Sequence, residues 1–326
     1  MASTVFRMAR TPRPDALLIG APKAGTSALH AALALHPQVF TTTPKEPKYY
    51  LCADAPPPAY KGPGDAHSQQ EWIWRREAYD ALFAPARDDQ LRIESTPFYL
   101  YLRNARRRIA EELPEVKLIA VIRDPVDRAY SNWMHLWSDG LEPVADFETA
   151  FNLEEKRIAR GWAPFWHYRR QGFYGHQLED LYGHVDAERI LVVRYRELVN
   201  DPAGLLDRVA GFLGLQTGLV PGIPRENARS YVAPGPSTAV LSRVIRAGAS
   251  VGAWFPPELW RRASAPLTSL MQARGAAARP TLDRGVRARL VQQFADDIDR
   301  LEAVTGQTFA DWRADSSAGS FADRIA

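Results

Sequence analysis

Short runs of apolar residues alternate along this chain with longer segments whose apolar residues follow a helical spacing. The short runs are rich in Leu, Ile and Val, a composition typical of strands that are buried on both faces of a sheet. They predict strands at residues 16–20, 91–94, 116–122 and 190–194. Because helical segments separate these strands, the pattern favours an α/β fold in three layers, with a central, mostly parallel sheet flanked by helices.

Proline and glycine interrupt this pattern at residues 55–64 (APPPAYKGPG) and again at 221–236. Neither stretch is suited to a regular helix or a central strand, so both are predicted to be surface loops. Whether the first loop acts as a lid is left open. Residues 1–14 and 313–326 are predicted to be a flexible leader and tail, which leaves a single domain over 15–312. Helices from about Pro257 onward are expected to pack on its side.

The first predicted strand runs directly into Gly20-Ala-Pro-Lys-Ala-Gly-Thr-Ser27 and then into a helical segment at 28–35. A tight loop between a strand and a helix directs backbone N–H groups and the positive end of the helix dipole at one point. Lys23 adds a full positive charge there, and Thr26 and Ser27 add hydroxyl donors. The loop is therefore a candidate phosphate site.

A nucleotide-binding P-loop has Gly, four residues, Gly, Lys and then Ser or Thr. Gly20 and Gly25 have this spacing, but Thr26 occupies the lysine position and Lys23 lies inside the loop. This displacement favours a phosphate-bearing donor that is handled without a triphosphate–metal complex. A divergent P-loop nucleotide kinase remains the alternative.

A second candidate anion site follows the most apolar strand, in Arg123-Asp-Pro-Val-Asp-Arg128. Asp124 is suited to cap the next helix, and Pro125 is suited to its first turn. Ser131 lies two turns further on. Ligands of α/β sheets bind at the carboxyl ends of the strands, so Arg123 is expected beside the first loop. Two neighbouring anion sites predict a donor with two separate phosphates, although a local Arg123–Asp124 ion pair is the simpler reading of this motif alone.

Together these motifs carry a family resemblance. Pro22-Lys-Ala-Gly-Thr-Ser27 resembles the 5′-phosphosulfate loop of sulfotransferases that use 3′-phosphoadenosine 5′-phosphosulfate (PAPS), and Arg123-Asp-Pro-Val-Asp-Arg-Ala-Tyr-Ser131 resembles their 3′-phosphate motif. Thr43-Pro-Lys-Glu-Pro-Lys-Tyr-Tyr50 is similar to the Lys-Glu-Pro segment of the heparan-sulfate-type and related bacterial branch. Residues 94–100, 172–178 and 195–202 resemble later family blocks. The resemblance covers about residues 15–235 and, weakly, the last helix near Trp312.

The resemblance implies a P-loop-like fold and assigns roles to particular residues. Lys23 and Glu46 are the implied catalytic residues: Lys23 neutralises the leaving phosphate, and Glu46 is the base for the acceptor hydroxyl. The implied donor-binding residues are Lys23, Ala24, Gly25, Thr26 and Ser27 at the 5′-phosphate, Arg123, Ser131 and Arg229 at the 3′-phosphate, and Tyr195 at the adenine. Tyr195-Arg-Glu-Leu198 departs from the family's usual Tyr-Glu-Asp-Leu. Glu46 could instead be a solvated carboxylate paired with Lys45 or Lys48, and His30 is expected to pack rather than react.

The implied acceptor is a hydroxyl of a carbohydrate, glycolipid or secondary metabolite. Two clusters mix aromatic and basic residues, which suits sugar rings or lipid carbons beside an anionic group. The first comprises Trp72, Trp74, Arg75, Arg76, Tyr99, Tyr101, Arg103 and Arg106–Arg108, and the second runs from Trp162 to Arg170. Core packing and solvated helix faces are equally good explanations. A nucleotide-binding module without activity is a further alternative.

Composition narrows the remaining options. The 326 residues hold 41 Lys and Arg against 38 Asp and Glu, a net charge of +3, which argues against a general polyanion or nucleic-acid binder. A single cysteine, Cys52, excludes an internal disulfide framework and multi-cysteine metal sites. No apolar run approaches the roughly 18–20 residues that span a bilayer. We therefore predict a cytoplasmic protein with no metal and no integral membrane association.

Overall fold

A computed structural model describes residues 12–63, 72–224, 231–233, 235–252 and 257–313. The strands are β1 (Ala16–Gly20), β2 (Val39–Thr41), β3 (Leu91–Ser95), β4 (Lys117–Ile122), β5 (Ile190–Arg194), β6 (Tyr231–Val232) and β7 (Ala276–Ala277). The helices are α1 (Thr26–Leu33), α2 (Tyr49–Cys52), α3 (Arg76–Ala81), α4 (Phe98–Tyr101), α5 (Arg103–Glu112), α6 (Pro125–Ser138), α7 (Phe147–Asn152), α8 (Glu154–Ala159), α9 (Tyr174–Tyr182), α10 (Tyr195–Asn200), α11 (Pro202–Leu213), α12 (Pro236–Gly252), α13 (Pro257–Gly275), α14 (Arg284–Gln292), α15 (Ala295–Thr305) and α16 (Ala310–Arg313).

The central sheet has five parallel strands in the order β2-β3-β1-β4-β5. All five residues of β1 are buried, because this strand lies in the middle of the sheet with helices on both faces. The predicted fold and all four predicted strands are confirmed. The sequence analysis missed β2, whose three residues are too few to produce a periodic signal.

The parallel arrangement brings the carboxyl ends of β1, β3, β4 and β5 to one edge of the sheet. The residues that follow these strands therefore meet there. Helix α1 begins at Thr26, two residues earlier than predicted. Asp124 caps α6 as predicted, since its carboxylate accepts from the backbone N–H groups of Val126 and Asp127 at 2.9 and 3.0 Å.

The C-terminal helices pack on the side of this core, as predicted. The Asp297 carboxylate, on α15, accepts from the backbone N–H groups of Gly175 and His176 on α9, at 2.8 and 3.0 Å. Residues 55–63 form neither helix nor strand and are largely exposed. The predicted second loop, 221–236, is interrupted by β6 and ends where α12 begins.

In the part of the chain that the structure describes, no helix is both long and apolar enough to cross a membrane. Residues 1–11 of the predicted leader and residues 314–326 of the predicted tail lie outside the described residues. The single domain over 15–312 stays a prediction.

Candidate functional site

The loop after β1 turns sharply before α1 begins. Gly25 caps this helix with φ +91°, a backbone conformation that residues other than glycine rarely adopt. Its carbonyl accepts the first helical hydrogen bond, from the N–H of Leu29 at 3.0 Å. The first amides of a helix have no acceptor within the helix, so those from Gly25 onward can bind an anion. The Ala24 N–H, which was predicted to bind phosphate, donates instead to Ala21 O at 3.1 Å.

Arg123, Lys23 and Tyr195 come together at this edge. Arg123 Nη1 donates to the backbone oxygen of Lys23 at 3.3 Å. The Arg123 guanidinium lies 4.5 Å from the centre of the Tyr195 ring, in a cation–π arrangement. A side chain at position 25 would meet the Tyr195 ring at 3.0 Å, so the ring also covers Gly25. The two predicted anion sites are therefore adjacent, and Tyr195 touches both.

The remaining predicted 3′-phosphate residues are placed less directly. Ser131 is half-buried in α6, the helix that begins just after Arg123. Arg229 lies outside the described residues. The roles of both residues stay predictions.

Asp124 is tied to the C-terminal part of the chain. Arg287, on α14, donates to Asp124 Oδ2 at 2.5 Å and to Asp127 Oδ1 at 2.6 Å. Burial, followed by the neighbouring charge of Asp127, raises the pKa of Asp124 to about 6, while Arg287 opposes this shift. The partner of Asp124 is therefore a distant arginine, which local sequence could not indicate.

Glu46 lies in the segment of residues 45–48 that leads into α2, called here the Glu46 turn. Its backbone is left-handed, with φ 62°, and its N–H donates to Ser95 O at the end of β3, at 3.0 Å. Lys45 Nζ lies 2.6 Å from Glu46 Oε1. The Lys45–Glu46 ion pair, an alternative expected from the sequence, is thus present. It holds the half-buried Glu46 carboxylate near the carboxyl ends of the strands.

His30, on α1, joins the helix of the donor loop to the end of β3. His30 lies one helical turn after Thr26, and its Nδ1 is 2.8 Å from Ser95 Oγ. Burial, followed by the positive charge of Lys45, lowers the pKa of His30 to about 4, and Glu46 opposes this shift. His30 is therefore neutral at physiological pH and lies among the predicted site residues. The sequence analysis expected a packing role only.

Glu94 is a further buried carboxylate near this edge. It accepts hydrogen bonds from Thr96 Oγ1 at 2.6 Å and from the Tyr79 hydroxyl at 3.3 Å. Burial raises its pKa to about 7, although these hydroxyls oppose the shift. Glu94 begins the block of residues 94–100, for which the family resemblance implied no role. A glutamate near the end of a predicted buried strand was the available signal.

The two aromatic clusters contribute much to the core. Tyr99, Trp166 and Tyr168 are buried, and several arginines are engaged in ion pairs, including Arg76 with Glu112 and Arg106 with Asp180. The clusters do meet: the Tyr101 hydroxyl lies 2.7 Å from His167 Nδ1. Lys61, in the 55–63 loop, donates its N–H to Gly161 O at 2.9 Å. An acceptor-binding role for either cluster stays a prediction.

Among the described residues, no group of three or more His, Cys, Asp and Glu side chains is placed to hold a metal ion.

Comparison with known proteins bears on this geometry. A model of the sulfotransferase family matches residues 14–218, a span that contains the donor loop, the Glu46 turn, Arg123 and Tyr195. The chain belongs to the sulfotransferase family. The resemblance inferred from the motifs is thereby confirmed.

Curated relatives of this sulfotransferase-family chain include two groups of heparan sulfate enzymes. It is 32% identical over 204 residues to human heparan sulfate glucosamine 3-O-sulfotransferase 3B1. The aligned residues are 62% of this chain and 46% of that protein. It is 28% identical over 209 residues to mouse bifunctional heparan sulfate N-deacetylase/N-sulfotransferase 4. These aligned residues are 62% of this chain and 22% of that protein. The chain thus spans about half the length, or less, of these relatives.

A solved structure matches more completely. The crystal structure of a sulfotransferase from Alicyclobacillus acidocaldarius aligns with a TM-score of 0.71 and 27% identity, covering 93% of this chain and 99% of that one. The likeness extends beyond residue 218 to most of the chain. It supports the three-layer fold independently of the family model.

Proposed function

We propose that this protein transfers the sulfuryl group of PAPS to a hydroxyl of a carbohydrate, glycolipid or secondary-metabolite acceptor. The observation that carries the proposal is the contact between Arg123 and the Lys23 loop, with Tyr195 against both. A donor with separate 5′- and 3′-phosphates fits two adjacent anion sites, whereas a nucleoside triphosphate places all its phosphates at one. The family of the chain supports the same reaction class.

The donor residues divide between the two phosphates. The amides at the start of α1, with the hydroxyls of Thr26 and Ser27, bind the 5′-phosphate. Arg123 and Ser131 bind the 3′-phosphate, together with Arg229. Tyr195 contacts the adenine. Such groups act by positioning and by charge stabilisation, which supply most of the rate enhancement in related group transfers.

The transfer itself needs a base and a stabilised leaving group. The donor supplies the sulfuryl group. Glu46 accepts the acceptor's hydroxyl proton while the hydroxyl oxygen forms its bond to sulfur. Lys23 neutralises the negative charge that the 5′-phosphate oxygen acquires as its bond to sulfur breaks. No metal is needed for these steps, and we propose that the protein acts in the cytoplasm on a small-molecule or glycan acceptor, without a nucleic-acid partner.

The test is transfer of ³⁵S from labelled PAPS to cell extracts without added Mg²⁺, followed by mass-spectrometric identification of the labelled product. We expect Lys23→Ala and Glu46→Gln each to lower the rate by about 10²–10³. Lys156→Ala and Glu115→Gln are the matched controls, since both side chains are exposed and Glu115 precedes β4, at the opposite end of that strand from Arg123. Full activity in both site variants would contradict the assigned chemistry.

Calorimetry separates the alternatives. We expect 3′,5′-bisphosphoadenosine to bind more tightly than Mg²⁺-ATP. The reverse order identifies a divergent P-loop kinase. Donor binding without labelling of any acceptor in a broad set of extracts identifies a nucleotide-binding module.

A further inference from the structure

The transfer proposed for Lys23 and Glu46 gives no role to Glu94, a buried carboxylate near the site. Glu94 is the fourth residue of β3 and is fully buried. The hydroxyls of Thr96, Tyr79 and Tyr99 all donate to its carboxylate. A buried carboxylate costs free energy, and ionisable groups with shifted pKa values are concentrated at functional sites.

Each hydroxyl donor also contacts the Glu46 turn or the helix that continues it. Thr96 Oγ1 accepts from the N–H of Lys48 at 3.3 Å, and the Tyr99 hydroxyl accepts from the N–H of Tyr50 at 3.3 Å. The ring of Tyr79 stacks on Tyr49 with centres 4.4 Å apart. The carboxylate therefore orients hydroxyls that in turn hold the backbone on either side of Tyr49.

The Glu46 turn needs such support. Glu46 and Lys48 have φ 62° and 66°, a left-handed backbone that costs a non-glycine residue free energy unless its surroundings enforce it. The N–H of Glu46 is held by Ser95 O, between Glu94 and Thr96 in sequence. Ser95 at the end of β3, Thr96 just after it and Tyr99 on α4 thus hold three backbone amides, those of Glu46 and Lys48 in the turn and of Tyr50 on α2.

We propose that Glu94 is a positioning residue for the transfer reaction, which through the hydroxyls of Thr96 and Tyr99 holds the Glu46 turn in its working conformation. The proposal rests on the role of Glu46 as the base. It assigns to Glu94 no contact with donor or acceptor.

The proposal implies a dependence on pH. The ionised carboxylate accepts hydrogen bonds, whereas the protonated acid must donate one, so at least one of its hydroxyl partners must turn away. The ionisable groups that face Glu94 are Tyr50 on α2, Tyr79 on α3, Tyr99 on α4 and Glu46 in the turn. Burial and the charge of Glu46 both favour the protonated form, which places the change of charge near neutral pH.

Hydrogen exchange of the full chain tests this without any acceptor. After correction for intrinsic exchange rates, we expect the protection of the amides of Lys48 and Tyr50 against local opening, in which Glu94 stays buried, to rise with pH through a midpoint near 7 in the wild type. In Glu94→Gln, protection should be low and without this midpoint. Thr96→Val should expose the Lys48 amide and Thr96→Ser should restore it, which keeps the test decisive if Glu94→Gln fails to fold. Unchanged protection in Glu94→Gln, or equal protection in both Thr96 variants, would overturn the proposal.

Kinetic measurements then separate this proposal from the proposed function. The acceptor is the cell-extract fraction that takes up ³⁵S from labelled PAPS. We expect Glu94→Gln to lower kcat by about 10–100-fold and to lose the inflection near pH 7, with the affinity for 3′,5′-bisphosphoadenosine unchanged. An unchanged kcat in Glu94→Gln, beside a lowered kcat in Glu46→Gln, overturns the positioning role alone. An unchanged kcat in Glu46→Gln overturns the assignment of the base, and the positioning role with it.

Discussion

Three non-glycine residues of the site have a left-handed backbone: Lys23, Glu46 and Lys48, with φ of 66°, 62° and 66°. Residues held in this region cost of the order of 1–3 kcal/mol each and are concentrated at sites of function. Two of the three are the residues proposed to carry the chemistry. Sequence alone could select Lys23 and Glu46 by motif, but their backbone conformation depends on the strands that support each turn.

Gly25→Ala tests how the donor loop depends on close packing. The substitution puts a Cβ 2.9 Å from Leu198 and 3.0 Å from the Tyr195 ring, at φ +91°. We expect a loss of stability larger than the backbone cost of about 1 kcal/mol and a loss of about tenfold or more in affinity for 3′,5′-bisphosphoadenosine. Denaturant unfolding and calorimetry measure the two effects.

Gly214→Ala is the control, because Gly214 has φ +80° with nothing within 4 Å of the new Cβ. It should show the backbone cost with unchanged donor affinity. Equal losses of affinity in the two variants would contradict the proposed packing of Tyr195 over the loop.

The buried charge of Glu94 should also be visible in stability. Its pKa is raised from an ordinary value of 4.5 to about 7, so the folded state binds this proton more tightly than the unfolded chain. The resulting stability is fully present below pH 4.5 and is lost as pH rises through 7. Between pH 4 and 8 the free energy of unfolding of the wild type should fall by up to about 3 kcal/mol relative to Glu94→Gln. Parallel stability curves for the two proteins would contradict the buried ionisation.

Elements far apart in sequence hold the donor motif. Arg287 on α14 reaches Asp124 across a sequence separation of 163 residues, and Asp124 caps the helix that follows Arg123. The cap itself was predictable, because an aspartate before proline at a helix start is a local signal. The ion pair was not predictable, since nothing near Arg287 in sequence marks it as a partner.

Two arginines of the same helix give a matched test of this link. Arg287→Met leaves the buried Asp124 unpaired, and we expect a loss of about 3 kcal/mol in stability together with weaker binding of 3′,5′-bisphosphoadenosine. Arg289 forms an exposed ion pair with Glu148, so Arg289→Met should change the stability little and leave binding intact. Thermal unfolding and calorimetry compare them. Equal stability of the two variants would contradict the proposal that α14 stabilises the donor site through Arg287.

At the scale of the whole molecule, the order of the sheet decides what meets at the site. The strands β3, β1, β4 and β5 are neighbours in the sheet, and each is followed by a residue of the proposed site. Sequence reasoning found all four strands but could not order them. Strand β2 was not predicted, because it is only three residues long; it is the outermost strand of the sheet, beside β3.

Ligand binding should stabilise the whole fold. At one hundred times its dissociation constant, 3′,5′-bisphosphoadenosine should raise the free energy of unfolding by about 2.7 kcal/mol. Because the proposed site binds the 3′-phosphate without a metal, EDTA should leave this effect unchanged, and adenosine 5′-phosphate at the same concentration should give a smaller one. Equal stabilisation by the two nucleotides in thermal unfolding would argue against a 3′-phosphate site at Arg123.

Sequence by itself determined four of the five strands of the central sheet, the glycine-containing donor loop, the cap of α6 and the family, because each depends on residues that are close together along the chain. Tertiary structure decided that Lys23, Arg123 and Tyr195 touch, and that His30 reaches Ser95. It also decided which charges are buried, at Asp124 and Glu94. Burial and pairing depend on which segments the parallel sheet places side by side, and that placement is a property of the packed fold rather than of any local pattern.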